Sequence, residues 1–163
     1  MEIGKTMADE INKQINAEFY SAYLYFAMAG YFDEKGLPGF ASWMKAQAKE
    51  ELEHGEKFYE YLVERGGKFV PMAIEKPEST WSGPLEAFEQ SLAHEQKVTG
   101  MIDSLYEAAC AEKDNATKVF LQWFISEQVE EEATVTGIID KLKLSGDKPQ
   151  ALLMLDRELG SRE

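Results

Sequence analysis

Glu51 and His54 lie three residues apart in the run Glu50-Glu51-Leu52-Glu53-His54, within a stretch patterned as an amphipathic helix. On a helix, residues i and i+3 share a face with Cβ atoms roughly 5–6 Å apart, so both side chains can reach one small cation. An acid and an imidazole directed into an apolar seam point to metal coordination.

Stepping by +3 and +4 along the chain finds the same anomaly elsewhere. One seam reads Ile11, Ile15, Glu18, Ala22, Tyr25, Ala29, and a second reads Phe40, Met44, Gln47, Glu51, His54, Phe58, Tyr61. A third reads Leu85, Phe88, Leu92, Glu95, Thr99, Ile102, Tyr106, and a fourth Leu121, Phe124, Gln128, Glu131, Val135, Ile138, Leu142. Each apolar stripe is broken near its middle by acid. Glu18, Glu51 with His54, Glu95, and Glu131 with Gln128 are thereby offered to one interior. No Lys or Arg stands in those seams, and desolvation alone costs several kcal/mol per buried ion, so a cation must sit among the carboxylates or some must hold protons. Acids that merely face water at a bundle end would need an independent coincidence of register on each helix.

Carboxylate-rich ligation with a single imidazole favours iron or manganese over zinc. Where a second Glu-x-x-His would balance the site, the chain reads Gln128-Val129-Glu130-Glu131. The site is therefore asymmetric. One position takes Glu18, Glu51 and His54; the other takes Glu51 as a bridge with Glu95 and Glu131, has no protein nitrogen, and should hold its metal more weakly.

These side chains need long helices to carry them. Helical patterns run from about Thr6 to Asp33, from Pro38 to Arg65-Gly66-Gly67, from Gly83-Pro84 to about Lys113, and from an Asp114 N-cap to Ser145-Gly146. A short fifth helix starts near Asp147-Lys148-Pro149 and carries Leu152, Leu153, Leu155 and Leu159. Short turns make antiparallel hairpins of helices one–two and three–four. The aperiodic link from Lys68 to Ser82, broken by Pro71 and Pro77, is long for a bundle and suits a crossover along its length. The expected fold is all-α: a four-helix bundle over residues 1–145, with residues 146–163 as a short fifth C-terminal helix and tail of the same domain.

Composition narrows the function classes. With 163 residues the chain suits one domain with a real core, and a net charge of -13 without a basic patch argues against nucleic acid. Such charge attracts cations, though it equally serves solubility. A single cysteine, Cys110, excludes an internal disulfide or a CxxC pair. No apolar run approaches the roughly 18 residues of a membrane span, and MEIGKTMADEI lacks the features of a signal peptide, so a cytoplasmic location with no membrane partner is expected.

Taken together, Asn16-Ala17-Glu18-Phe19-Tyr20-Ser21-Ala22-Tyr23-Leu24-Tyr25, Glu50-Glu51-Leu52-Glu53-His54, His94-Glu95-Gln96, Phe120-Leu121-Gln122-Trp123-Phe124 and Ser126-Glu127-Gln128-Val129-Glu130-Glu131-Glu132 resemble the bacterial and archaeal non-haem ferritins over essentially the whole chain. The resemblance implies a ferritin-like bundle with one long crossover, assembled into a hollow octahedral 24-mer that oxidises Fe(II) with O2 or peroxide and stores ferric mineral. It implies an A iron position at Glu18, Glu51 and His54 and a B position at Glu51, Glu95 and Glu131. A third, C position would take Glu50, Glu127 and Glu130, with Gln128 lining the centre. Tyr25 resembles a tyrosine near the A position and Trp123 an aromatic at the same centre; either could supply an electron, while ordinary seam packing is the alternative for Tyr25 and the favoured reading for Trp123.

Haem is not expected. Glu131 and Leu52 stand where the similar bacterioferritins carry a histidine and the haem-ligating methionine, and one cysteine cannot build the iron domain of rubrerythrins. The mini-ferritins lack a fifth helix, which in ferritins packs about the four-fold axis; folded onto its own bundle, it would leave assembly to other surfaces. A dinuclear oxidase or peroxidase that does not mineralise, and a structural bundle with a degenerate centre, are the competing readings. His94, one step off the seam, is expected at a surface or interface, and Cys110 as a small packing residue. Charge repeated over many subunits would make assembly salt-dependent.

Overall fold

The computed structural model describes residues 1–162. Its elements are five helices: α1 (Lys5–Glu34), α2 (Pro38–Glu64), α3 (Pro84–Ala111), α4 (Asn115–Ser145) and α5 (Pro149–Leu159). Proline opens α2, α3 and α5 within their first turns, where a missing N–H costs nothing. Asp114 caps α4 by accepting from the Thr117 N–H at 3.0 Å, and its carboxylate is clamped by Arg65 at the end of α2 at 3.1 Å. Between α1 and α2, Gly36 takes φ +73°, which lets the chain reverse within a few residues.

α1 pairs with α2 and α3 with α4, and α1 also packs on α3. The crossover between α2 and α3 is tied along α1. Asn12 donates to the Lys68 carbonyl (2.9 Å) and accepts from the Val70 N–H (2.7 Å), and Asn16 reaches the Ala73 carbonyl (3.2 Å). Its far end is anchored by buried Trp81, edge-on to Tyr31 at 5.4 Å. The link thus runs the length of the bundle, as its size suggested.

Apolar packing falls into two separate cores. One, around Met7, Ile11, Phe58, Ile102 and Phe124, occupies the end where α1 begins; Phe58 stacks on Phe124 at 4.0 Å. The other, around Met28, Phe32, Phe40, Phe88 and Ile139, fills the opposite end and includes Leu155 and Leu159 of α5. Between them the buried side chains are Glu18, Gln47, Glu51, His54, Glu95, Gln128 and Glu131. The bundle is a pair of greasy plugs separated by a polar belt.

α5 docks on α2 and α4 of its own chain. The Asp156 carboxylate accepts from the Phe40 N–H at 3.0 Å, satisfying a free donor of the first turn of α2. The opposite face of α5 stays bare, with Leu153 and Met154 exposed. Among the described residues, no helix is long and apolar enough to cross a membrane.

Candidate metal centre

The polar belt is built from one stretch of each long helix. Glu18 comes from α1, Gln47, Glu51 and His54 from α2, Glu95 from α3, and Gln128 and Glu131 from α4. Glu18, Glu51 and His54 each present a ligand atom within 4.8 Å of the others, and His54 with Glu127 and Glu131 forms a second such group. His54 Nδ1 lies 3.3 Å from Glu51 Oε2 and 3.9 Å from Glu18 Oε2. Its ring is held edge-on by Trp123 and Phe124 at 5.5 and 5.9 Å, which restricts its rotation.

Amides orient the carboxylates. Gln14 donates to Glu18 Oε1 at 2.7 Å, and Gln47, one turn before Glu51, donates to Glu51 Oε1 at 2.9 Å. The same Gln47 nitrogen reaches Glu131 Oε2 at 2.9 Å. Gln128 donates to Glu95 Oε2 and to the Glu95 carbonyl, both at 3.2 Å, and the Tyr25 hydroxyl donates to Glu95 Oε1. Glu18 Oε2 alone, among the buried side-chain oxygens and nitrogens of the described residues, has no hydrogen-bond partner. A buried carboxylate oxygen left bare beside another acid and an imidazole fits a cation and little else.

The electrostatics agree. Burial, then the neighbouring Glu51 charge, holds the Glu18 carboxyl well above its usual range. Burial and the Glu51 and Glu131 charges lift Glu95 to about 8, and burial with Glu51 lifts Glu131 to about 7. Burial works against a charged His54, but its hydrogen bond and attraction to Glu51, with Glu18 and Glu131 behind, overcome this and raise it to about 9. Tyr25 is held well above its ordinary value by burial and by Glu95, so it stays a phenol. Without a cation the cluster therefore keeps protons that a metal would displace.

Residues 8–145 match the family profile of the ferritin-like domain. The chain is 43% identical over 160 residues to a bacterial non-heme ferritin of Bacteroides fragilis, covering 98% of this chain and 99% of that one. A bacterial non-heme ferritin of Staphylococcus aureus is 42% identical, over 98% of this chain and 96% of its own. Among solved structures, an open pore ferritin from the hyperthermophilic archaeon Archaeoglobus fulgidus superposes with a TM-score of 0.99 at 51% identity, covering 99% of this chain and all of that one. The chain belongs to the ferritin family. Its place is therefore among iron-storage proteins, with the four-helix bundle and short fifth helix that the sequence implied.

Within this ferritin chain the remaining expected site residues fall in different settings. Tyr25 reaches Glu95 rather than the Glu18–Glu51–His54 group. Glu127 joins the second group through His54 and Glu131, while Glu130 is exposed and Glu50 is bound by Arg162 at 2.5 Å. Trp123 sits at the rim, 40% exposed, with Lys57 Nζ 3.8 Å from the ring centre.

One expectation needs correction and one is refined. His94, expected at a surface or interface, is half-buried: it packs against Tyr20 between α1 and α3 and bonds Ser21 Oγ at 2.7 Å. Burial lowers its pKa, so it is neutral there. Cys110 is exposed, because Ala109 beside it takes the inward position at the end of α3.

Several residues of the centre were not marked as such by their type. Gln14 and Gln47 carried a signal, since each stands four residues before a seam glutamate, where i,i+4 pairs meet. Thr99, on the seam four residues after Glu95, donates to Glu132 at 2.6 Å and lies 3.3 Å from Gln128; Arg162 carried no signal.

Proposed function

We propose that the chain is a ferroxidase ferritin: it takes Fe(II) as substrate at the polar belt, oxidises it, and stores the ferric product inside a shell of 24 copies. The observation that carries this reading is the bare Glu18 Oε2 facing Glu51 and His54. The A iron would use Glu18, Glu51 and His54, and the B iron Glu51, Glu95 and Glu131. Hard oxygen ligands stabilise Fe(III) over Fe(II) and so favour electron loss. Two Fe(II) together deliver two electrons to O2, which with two protons yields peroxide without a one-electron oxygen species leaving.

The chain's own residues do the rest. Glu95, Glu131 and His54 give up protons as the cations enter, and Gln47 and Gln128 keep the carboxylates aimed as charge builds. Tyr25 is hydrogen-bonded to Glu95 through its hydroxyl, whereas Trp123 only packs edge-on against His54 at the rim, which favours Tyr25 over Trp123 as an electron donor. A C position at Glu50, Glu127 and Glu130 would require Arg162 to leave Glu50. Storage, rather than oxidation alone, is favoured by the bare apolar face of α5 and by an adjoining groove lined by Leu85, Leu142, Gly146, Pro149 and Leu152, which a neighbouring copy would cover. A cytoplasmic location belongs to the same proposal.

Aerobic loading of the purified protein with excess Fe(II), followed by sizing and iron analysis, tests it. A large species retaining far more iron than its metal positions could hold supports storage. A small species that oxidises only about two irons per chain favours the non-mineralising oxidase, and absence of oxidation leaves a structural bundle.

A further inference from the structure

Gln47 is fully buried, and its amide nitrogen is shared between Glu51 and Glu131. That leaves its carbonyl, Oε1, needing a donor in the interior of a bundle. The donor is Arg162, from the segment that follows α5: its Nη1 lies 3.0 Å from Gln47 Oε1. Its Nη2 bonds Glu50 Oε2 at 2.5 Å, Nη1 also faces the Trp43 carbonyl at 3.5 Å, and the guanidinium lies 4.6 Å from the Trp43 ring centre.

The placement of Arg162 follows from the docking of α5. Leu155 and Leu159 are buried in the core, and Asp156 binds the start of α2. A turn then carries the chain back, with the Ser161 N–H on the Glu158 carbonyl (3.1 Å) and the Arg162 N–H on the Leu159 carbonyl (3.3 Å). The side chain is thereby aimed along α2 over Trp43, toward Gln47 one turn on.

From this geometry we infer that Arg162 is a positioning residue for the metal centre, acting through the Gln47 amide. The inference rests on the ferroxidase reading above. An amide has two faces, and nothing in its shape chooses between them. With Arg162 in place, Oε1 is engaged and Nε2 must point at Glu51 and Glu131. Without it, Oε1 is an unsatisfied buried acceptor, and turning the amide over would set that oxygen against two carboxylates. The arginine thus reinforces the orientation of Gln47 that the two carboxylates prefer and anchors the amide by its Oε1, so that Gln47 holds the shared ligand Glu51 and Glu131 in place. Partners that orient ligands in this way typically change metal affinity or activity by about 10–100-fold.

The test uses the full chain with Arg162→Met, which keeps the stem on Trp43 but removes every donor, and Arg162→Lys, which keeps the charge and a single donor nitrogen. Two readouts are taken: the visible spectrum of Co(II) bound anaerobically, and the initial rate of aerobic Fe(II) oxidation resolved into kcat and KM. Arg162→Met should shift the Co(II) bands and lower kcat about 10-fold, with a modest fall in Tm for the unpaired Gln47 carbonyl and assembly unchanged, and Arg162→Lys should recover part of the spectrum and of kcat. A parental Co(II) spectrum in Arg162→Met, or a loss confined to KM, overturns the inference. If the parent oxidises no Fe(II), the ferroxidase reading fails instead, and the Co(II) spectrum still decides the role of Arg162.

Discussion

Gln47 bridges two helices at the centre of the bundle: one amide nitrogen lies 2.9 Å from Glu51 of α2 and 2.9 Å from Glu131 of α4. These are the acids proposed for the bridge and the B position, and His54 lies near both. The amide lets two carboxylates approach each other while each still receives a proton to share.

Replacing Gln47 by Leu keeps the volume and removes the shared donor. Fe(II) oxidation should slow by about 10-fold, because the two carboxylates must find their geometry during binding rather than before it. The number of Fe(II) bound per chain, measured anaerobically by calorimetry, should not change. An unaltered rate would show that the metal alone organises the ligands.

The pH dependence has a definite sign. Glu131 and Glu95 are raised to about 7 and about 8, and His54 to about 9. Each therefore binds protons more tightly folded than unfolded. Their stabilising contribution is complete below the unfolded values, near 4.3 for Glu and 6.5 for His, and is lost as pH rises through the folded ones. The metal-free protein should lose thermal stability steadily between about pH 5 and 9. Bound metal displaces those protons, so the rise in Tm on adding a divalent cation should be larger at pH 8 than at pH 6. A metal-induced shift independent of pH would mean that the belt carries no excess protons.

Glu18 shows the conflict between binding and folding most plainly. Its Oε2 is buried without a partner, and its carboxyl is held well above the usual range by burial and by Glu51. Glu18→Gln removes the ionisable group. The metal-free variant should be more stable than the parent at pH 8, by about 1–3 kcal/mol in urea unfolding. Its Fe(II) oxidation should fall by more than the roughly 10–100-fold typical of a partner that only orients a ligand. A variant less stable than the parent without metal would show that Glu18 has a purely structural role.

Much of this was visible in the sequence because the site violates the pattern that carries it. Acids at Glu18, Glu51, Glu95 and Glu131 interrupt apolar stripes at the same height, so finding the helices and finding the site were one operation. The phase of α3 was less legible. Stepping from Phe88 to Glu95 to Ile102 can pass through Leu92 and Thr99 or through Ser91 and Val98. The leucine looked the better core residue, yet Ser91 is the buried one. Its hydroxyl is satisfied by the Ala87 carbonyl at 3.1 Å and faces Met28 sulfur at 3.3 Å, an arrangement that only tertiary packing reveals. Asp156 and Arg162 were invisible for a related reason. Their partners, Phe40 N–H and Gln47, lie more than a hundred residues away, and neither charge interrupts a pattern.

The seat of α5 depends on one close approach. A Cβ built on Gly39 would stand 1.7 Å from the Asp156 carbonyl oxygen, and the obstruction is backbone, which cannot swing aside as a side chain would. Gly39→Ala must therefore push α5 off the first turn of α2. That breaks the bond from Phe40 N–H to Asp156, lifts Leu155 and Leu159 from the core, and withdraws Arg162 from Gln47. Overpacking of this kind costs about 1–3 kcal/mol. The lowered Tm should come with smaller particles in sedimentation, since the bare face of α5 moves with the helix. The four long helices and the Glu18–Glu51–His54 group do not depend on Gly39, so anaerobic Co(II) should still bind. A variant with parental size and stability would show that α5 is not held by this contact.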